Sequence, residues 1–330
     1  MMALSLIDFW TREYLDGYIQ AGGSKVKLVT SRDCLQTSRF LQELKRAAAQ
    51  SGYATAYLDA RAIAKVNVLG NIYQAAVREL DLDSLVAEYC RKVIRSLGYD
   101  PTEVPEERTF IDWTCETKGR EPASLRREVK EHLEKELFRN PSINRTFATA
   151  VLQIVGGALG TAKEGKLPAE DTALLYGWMQ ADAVPLRDLR RFHVFSRIDR
   201  YNARLMLRSL VEFARLGGKR GLFLAVDGLE VLLARKENGR PLYSKAAREE
   251  FYESVRQLID EIDNLHHLMI VLGFGRELMD DRQAGLESYK ALWLRIQKEV
   301  RGSRLNYFSD LINLDAGLLS EPVAVQKEVS

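Results

Sequence analysis

The sequence predicts a three-layer α/β protein: a parallel sheet interrupted by a large helical insertion. Two observations carry that reading. Short, continuous, β-branched apolar runs bounded by turn residues recur near both ends of the chain, as buried parallel strands require. Between the second and third of these runs lie well over a hundred residues with almost no strand signal and repeated helical spacing.

The first run, 25–30 (KVKLVT), is followed by a helical stretch with Phe40, Leu41, Leu44, Ala47 and Ala48 on one face, and then by a second run, Ala54–Asp59 (ATAYLD). That is a βαβ unit, and its crossover is expected to be right-handed. The third and fourth runs are 221–226 (GLFLAV) and 268–273 (LMIVLG), and a weaker fifth is 305–311 (LNYFSDL). Upstream, residues 8–18 read as an amphipathic helix packed on the sheet. Within the insertion, SLRREVKEHLEKELF reads as an amphipathic helix capped by Ser124, with Leu125, Val129, Leu133 and Leu137 in register. A second helix, 143–159, is more apolar and stops at glycines, and 161–168 is a loop by composition. A third, 202–216, runs into Gly217 and Gly218. The expected division is 1–80 for the first half of the core, 81–205 for the helical insertion and 206–330 for the second half of the core.

Composition excludes several classes. The 330 residues carry 48 Lys plus Arg against 46 Asp plus Glu, a net charge of +2. A globally basic nucleic-acid binder is excluded, although a local basic face is not. No apolar run approaches the ~20 residues of a membrane helix, and charged residues from Asp8 onward break any secretory leader. A cytoplasmic protein without membrane partners is expected. Three cysteines without a CxxC pair and four histidines without ligand spacing argue against both a disulfide framework and a metal site.

The strongest chemical signal is the end of the third run, Gly221-Leu-Phe-Leu-Ala-Val-Asp227-Gly-Leu-Glu230. In P-loop NTPases an acid at the end of such a strand holds the Mg²⁺ site, and a nearby Glu polarises the attacking water. Buried strands also end in Asp simply because loops begin there. A phosphate loop, G-x-x-x-x-G-K-[ST], should then follow the first strand. The corresponding window is Ser31-Arg-Asp-Cys-Leu-Gln36-Thr37-Ser38, in which only Ser38 survives. Both glycines and the lysine are replaced, so the phosphate charge loses its main partner.

Taken in order, these segments resemble the ATP-binding P-loop proteins of BREX-type bacteriophage-defence loci, relatives of the AAA+ and STAND ATPases. Ser38-Arg-Phe-Leu41 is similar to the S-x-F-L that closes that family's P-loop. Asn202-Ala-Arg-Leu-Met-Leu-Arg-Ser-Leu210, the glycine turn at Gly217 and the strand to Asp227 resemble its helix, turn and Walker B strand. Residues 269–275 and Ser288-Tyr-Lys-Ala-Leu-Trp-Leu-Arg295 resemble the next strand and a Y-x-A-L-x-x-R segment. The likeness spans most of the chain, with the insertion the least comparable part. It implies a P-loop NTPase-like core with Asp227 as the Mg²⁺-site acid. Gly228 stands where AAA+ proteins usually carry the catalytic Glu, Glu230 matches a family acid without a fixed role, and Thr37 carries over no lysine function.

The resulting expectation is a degenerate P-loop ATPase homologue without intrinsic ATPase activity, with no catalytic residue and no metal ligand set. It would act as a structural or regulatory subunit of an antiviral complex. Ser38, Asp227 and Glu230 are the remnant nucleotide site, for ATP and Mg²⁺ if they bind. Arg276 and Arg295 are candidate arginine fingers toward a neighbouring subunit. The implied partner is an intact ATPase paralogue or an effector subunit in a hetero-oligomer. One rival reading is an active ATPase with an atypical phosphate loop. Another is a DNA-binding adaptor that uses the arginine cluster Arg187, Arg190, Arg191, Arg197, Arg200, Arg204 and Arg208. The bland alternative for that cluster is a solvated face neutralised by the acidic stretch 249–263.

Overall fold

A computed structural model describes residues 2–162, 166–296 and 306–317. Five strands form one parallel sheet: β1 (Ser24–Ser31), β2 (Ala54–Asp59), β3 (Leu222–Asp227), β4 (Leu268–Gly275) and β5 (Leu311–Asn313), in the order β2-β3-β4-β1-β5. β1 pairs with β4 from Ser24↔Leu268 to Ser31↔Gly275, and β2 pairs with β3 from Ala54↔Leu222 to Asp59↔Asp227. The chain passes from β1 over β4 and β3 to the far edge, works back inward, and crosses β1 to reach β5. All strand carboxyl ends therefore open on the same edge of the sheet, where open α/β sheets place their ligands.

The helices, in chain order, are α1 (Met2–Trp10), α2 (Cys34–Gln50), α3 (Leu69–Arg78), α4 (Leu82–Ser96), α5 (Phe110–Lys118), α6 (Pro122–Phe138), α7 (Arg145–Leu159), α8 (Ala169–Met179), α9 (Leu186–Leu189), α10 (Ala203–Leu216), α11 (Lys245–Asp260), α12 (Glu277–Asp280) and α13 (Lys290–Ile296). α1 continues into a π-helical turn, Thr11–Ile19.

The period-2 alternation of the strands builds two cores. Phe223, Ala225, Met269 and Val271 face α1, the π-helical turn and α2, around Trp10, Phe40 and Leu44. Leu222, Leu224, Ile270 and Leu272 face the opposite layer, which is continuous with the helices α3 to α8 and α10. α3 packs on both β2 and α10, so the chain between β2 and β3 is joined to the sheet through its first and last helices. Among the described residues, no helix is long and apolar enough to cross a membrane.

Two local expectations are corrected. Ser124 does not cap α6: Pro122 opens that helix, and the carboxylate of Glu121 accepts from the amides of Ala123 and Ser124. Proline at the first helical position needs no amide partner, which moves the start upstream of the serine. The fifth strand is not 305–311 but begins at Leu311; Leu305 lies outside the described residues. The turn before it is bent to serve Lys27, a fully buried side chain in β1 whose Nζ donates to the carbonyls of Phe308 and Ser309 (both 2.6 Å). Tyr307 and Phe308 look like strand residues, but their rings pack edge-on against Phe9.

Candidate functional site

A phosphate-binding turn is a wide loop whose backbone amides converge on the anion at a helix N-terminus. Here β1 ends at Ser31 and α2 begins at Cys34, so only Arg32 and Asp33 lie between them. Gln36, Thr37 and Ser38 are already helical. The span that should wrap a phosphate is wound into the first turn of α2, where Asp33 is an ordinary N-cap.

The amides there are spoken for. The Asp33 carboxylate accepts from Leu35 N at 2.9 Å, and the Asp33 carbonyl accepts from Gln36 N at 2.9 Å. A carboxylate thus sits on one of the amide donors, and at the positive end of the helix dipole, that a phosphate would use. Thr37, in the lysine position, is 1% exposed and turned inward, with its Oγ1 3.0 Å from Ser31 Oγ. This turn has no lysine and only two residues between strand and helix, and the cation it carries is the exposed Arg32. Close packing also fills the space above it: a Cβ on Gly273 of β4 would lie 2.4 Å from Leu41, 3.0 Å from Thr37 and 3.1 Å from the Asp227 carboxylate.

Asp227 ends β3 as expected, but it is 2% exposed. Its Oδ1 accepts from Gly228 N at 2.9 Å and its Oδ2 from the Tyr57 hydroxyl at 2.5 Å. Tyr57 projects from β2, and Ser38 and Gln42 lie near enough to oppose the upward shift of its phenol. Burial, then the Asp227 bond and charge, push the Tyr57 phenol up to about 12, so it stays a donor to that carboxylate. Ser38 and Asp227 thus both lie close to the Tyr57 phenol, and Asp227 is bonded to it directly. Ser38 Oγ donates to Cys34 O at 3.0 Å. Glu230 turns away from Asp227 and accepts from Gly275 N at 3.0 Å, tying the loop after β3 to the end of β4.

The crevice is acidic. Asp59 and Asp227 end adjacent strands in register, and Glu230, Glu277 and Asp227 all bear on the Cys34 thiol. Burial and those three acids push that thiol up, while Arg61 opposes them. Arg61 is held by Asp59, whose Oδ1 accepts from Arg61 N at 3.0 Å and Nε at 2.8 Å. Burial acts against that carboxylate, yet the Arg61 bonds keep it below its usual range. Among the described residues, no group of three or more His, Cys, Asp or Glu side chains is placed to hold a metal ion.

Arg276, just beyond β4, donates through its amide to Ser31 O at 2.9 Å. Its guanidinium meets Asp280 at 3.1 Å and Asp315 at 3.8 Å. Arg295 grips Asp260 with two nitrogens, one of them at 2.8 Å, and donates to Ala291 O. Each guanidinium is thus engaged inside its own chain. The arginine cluster divides. Arg208 donates to the carbonyls of Pro141 and Ser142, and Arg204 pairs with Glu261 at 2.9 Å. Arg187, Arg190, Arg191, Arg197 and Arg200 stay exposed.

Asp33, Tyr57, Asp59 and Arg61 were not singled out in the sequence. Asp33 carries the N-cap signature before a helical run. Tyr57 was visible only as an alternating strand residue, because its partner lies 170 positions away.

Sheet order, the acid at the end of β3 and the strand-turn-helix at β1 together define a P-loop NTPase-like α/β protein. A family model described as "BREX system ATP-binding protein BrxC/D" matches residues 17–321, and the chain belongs to that family. Membership supports ATP binding and a role in a multi-protein phage-defence system. No curated protein and no solved structure gave a significant match.

Proposed function

We propose that this chain is a P-loop-type subunit of a BREX defence assembly that does not itself turn over ATP and serves through its surfaces. The observation that carries this reading is the two-residue turn after β1, with the Asp33 carboxylate on the Leu35 amide of α2. Three features support it: Thr37 in the lysine position, Gly228 where a catalytic acid is usual, and an Asp227 carboxylate already filled by Tyr57 and Gly228 N. Without the lysine and the glycine-framed cradle, phosphate binding loses its charge-assisted contacts, which are the strong ones.

The partner in this reading is an intact ATPase paralogue or an effector protein. Arg276 and Arg295 remain the candidates to face its nucleotide, and each would have to leave its intramolecular carboxylates to do so. The test is co-expression with an intact P-loop ATPase encoded beside it, followed by co-purification and ATP turnover of the complex. The expected result is a stable complex whose turnover is unchanged by Asp227→Asn in this chain. Loss of turnover with that variant, in a complex that still assembles, would favour an active ATPase with an atypical loop.

A further inference from the structure

The chain from His193 to Tyr201 has no regular structure, yet it is fixed in place. Phe192, Val194 and Ile198 are buried beneath it. Trp178 Nε1 donates to Ser196 O at 2.7 Å, and Asn202 Nδ2 donates to Arg197 O at 2.8 Å. Asp199 Oδ1 accepts from Tyr201 N at 2.8 Å, so that acid is occupied by the backbone. From this anchored ribbon Phe195 and Tyr201 project outward, 64% and 79% exposed.

Apolar rings held this far into water on a rigid segment contribute nothing to the core. Around them arginines outnumber acids, although Arg187 and Arg191 pair with Asp188 and Asp171 and Arg200 lies 3.7 Å from Glu250. Arg190 and Arg197 are exposed and have no carboxylate partner among the described residues. Arg200 lies over the Tyr201 ring at 4.7 Å, and the ring stays largely open to solvent.

We infer that residues 190–201 form a binding platform for single-stranded nucleic acid. Phe195 and Tyr201 stack on bases, and Arg190, Arg197 and Arg200 meet the phosphates. The geometry favours a single strand over a duplex because exposed ring faces need unpaired bases to stack on. It favours nucleic acid over a protein because Arg190 and Arg197 lack counter-charges among the described residues, and Arg200 has only an exposed contact with Glu250 at 3.7 Å. The fixed backbone keeps the ordering cost of binding low. Arg204 and Arg208 fall outside the platform, since their guanidinium groups serve the fold. The inference is independent of whether nucleotide binds at the end of β1.

The test is fluorescence anisotropy on the full chain with a labelled oligothymidylate of about twenty nucleotides, at ~50 mM salt and upward. Phe195→Ala and Tyr201→Ala should each weaken binding about tenfold without shifting the unfolding midpoint. Arg190→Glu combined with Arg197→Glu should weaken it further and flatten the log–log salt slope by roughly 1.4, at ~0.7 per phosphate contact. A duplex of the same length should bind more weakly. No detectable binding at low salt overturns the platform. So does equal duplex affinity with both aromatic variants silent, which would mean unspecific phosphate attraction. If oligonucleotide binding is absent and Tyr201→Ala instead abolishes co-purification of a protein component, the surface is a protein interface and the inference fails.

Discussion

The carboxyl ends of β1 and β3, separated only by β4, have been treated in opposite ways. At β3 the acid that a nucleotide-binding fold needs is retained, and the chain has supplied it with internal partners, Tyr57 and Gly228 N. At β1 only Arg32 and Asp33 separate strand from helix: α2 starts at Cys34, and the Asp33 carboxylate accepts from the Leu35 amide. The contrast teaches that the sheet depends on burial, not on phosphate chemistry. Thr37 and Gly273, packed against each other, now belong to the core above α2.

Four substitutions probe that contrast. The largest effect belongs to the interior of β1. Lys27→Met strands the carbonyls of Phe308 and Ser309 and removes the second cation of Asp310, at 3.6 Å, leaving it with Lys25 at 2.6 Å. We expect about 3 kcal/mol of lost stability in urea unfolding. An effect below about 1 kcal/mol would mean that the turn before β5 is not held by this lysine.

Next comes the contact between the two strand ends. Gly273→Ala places a methyl group against Leu41, Thr37 and Asp227 and should cost about 1–3 kcal/mol. A neutral result would show that space remains above α2 and would weaken the closed-turn reading.

Tyr57→Phe should cost about 1 kcal/mol near neutral pH, since it leaves one oxygen of a buried carboxylate without its donor. Its pH signature is more specific. The Tyr57 phenol sits at about 12 when folded, above its ordinary value of 10, so its contribution is complete below pH 10 and is lost as pH rises toward 12. Tyr53 behaves likewise, with burial the main cause. Tyr57→Phe should therefore make the alkaline loss shallower without abolishing it, as read from unfolding midpoints between pH 9 and 12.

Asp33→Ala should have the smallest effect, about 1 kcal/mol or less, the usual worth of an exposed N-cap. A much larger loss would mean that Asp33 secures more than the start of α2.

The strands were legible because continuous apolar runs survive translation into structure with little help. β2 falls on its expected residues, β1 and β4 each gain two residues, and β3 is shifted by one, losing Gly221 and gaining Asp227. The fifth strand was displaced because Tyr307 and Phe308 owe their apolar character to packing against Phe9, a contact across the whole chain. At the site, Asp227 could be read because it ends an apolar run, and the loss of the phosphate motif could be read from Thr37. The sequence could not reveal how short the turn after β1 is, since that depends on where α2 begins. Nor could it show which arginines were free. Arg204 and Arg208 look identical in pattern to Arg190 and Arg197, and only tertiary contacts with Glu261, Pro141 and Ser142 separate them.

The most direct measurement of the central claim is calorimetry of the isolated chain with Mg-ATP, alongside Asp227→Ala. The closed turn predicts no heat of binding at millimolar nucleotide, from either protein. Micromolar binding that disappears in Asp227→Ala would contradict it, because the β3 acid would then still be serving a nucleotide that the β1 turn had found another way to hold.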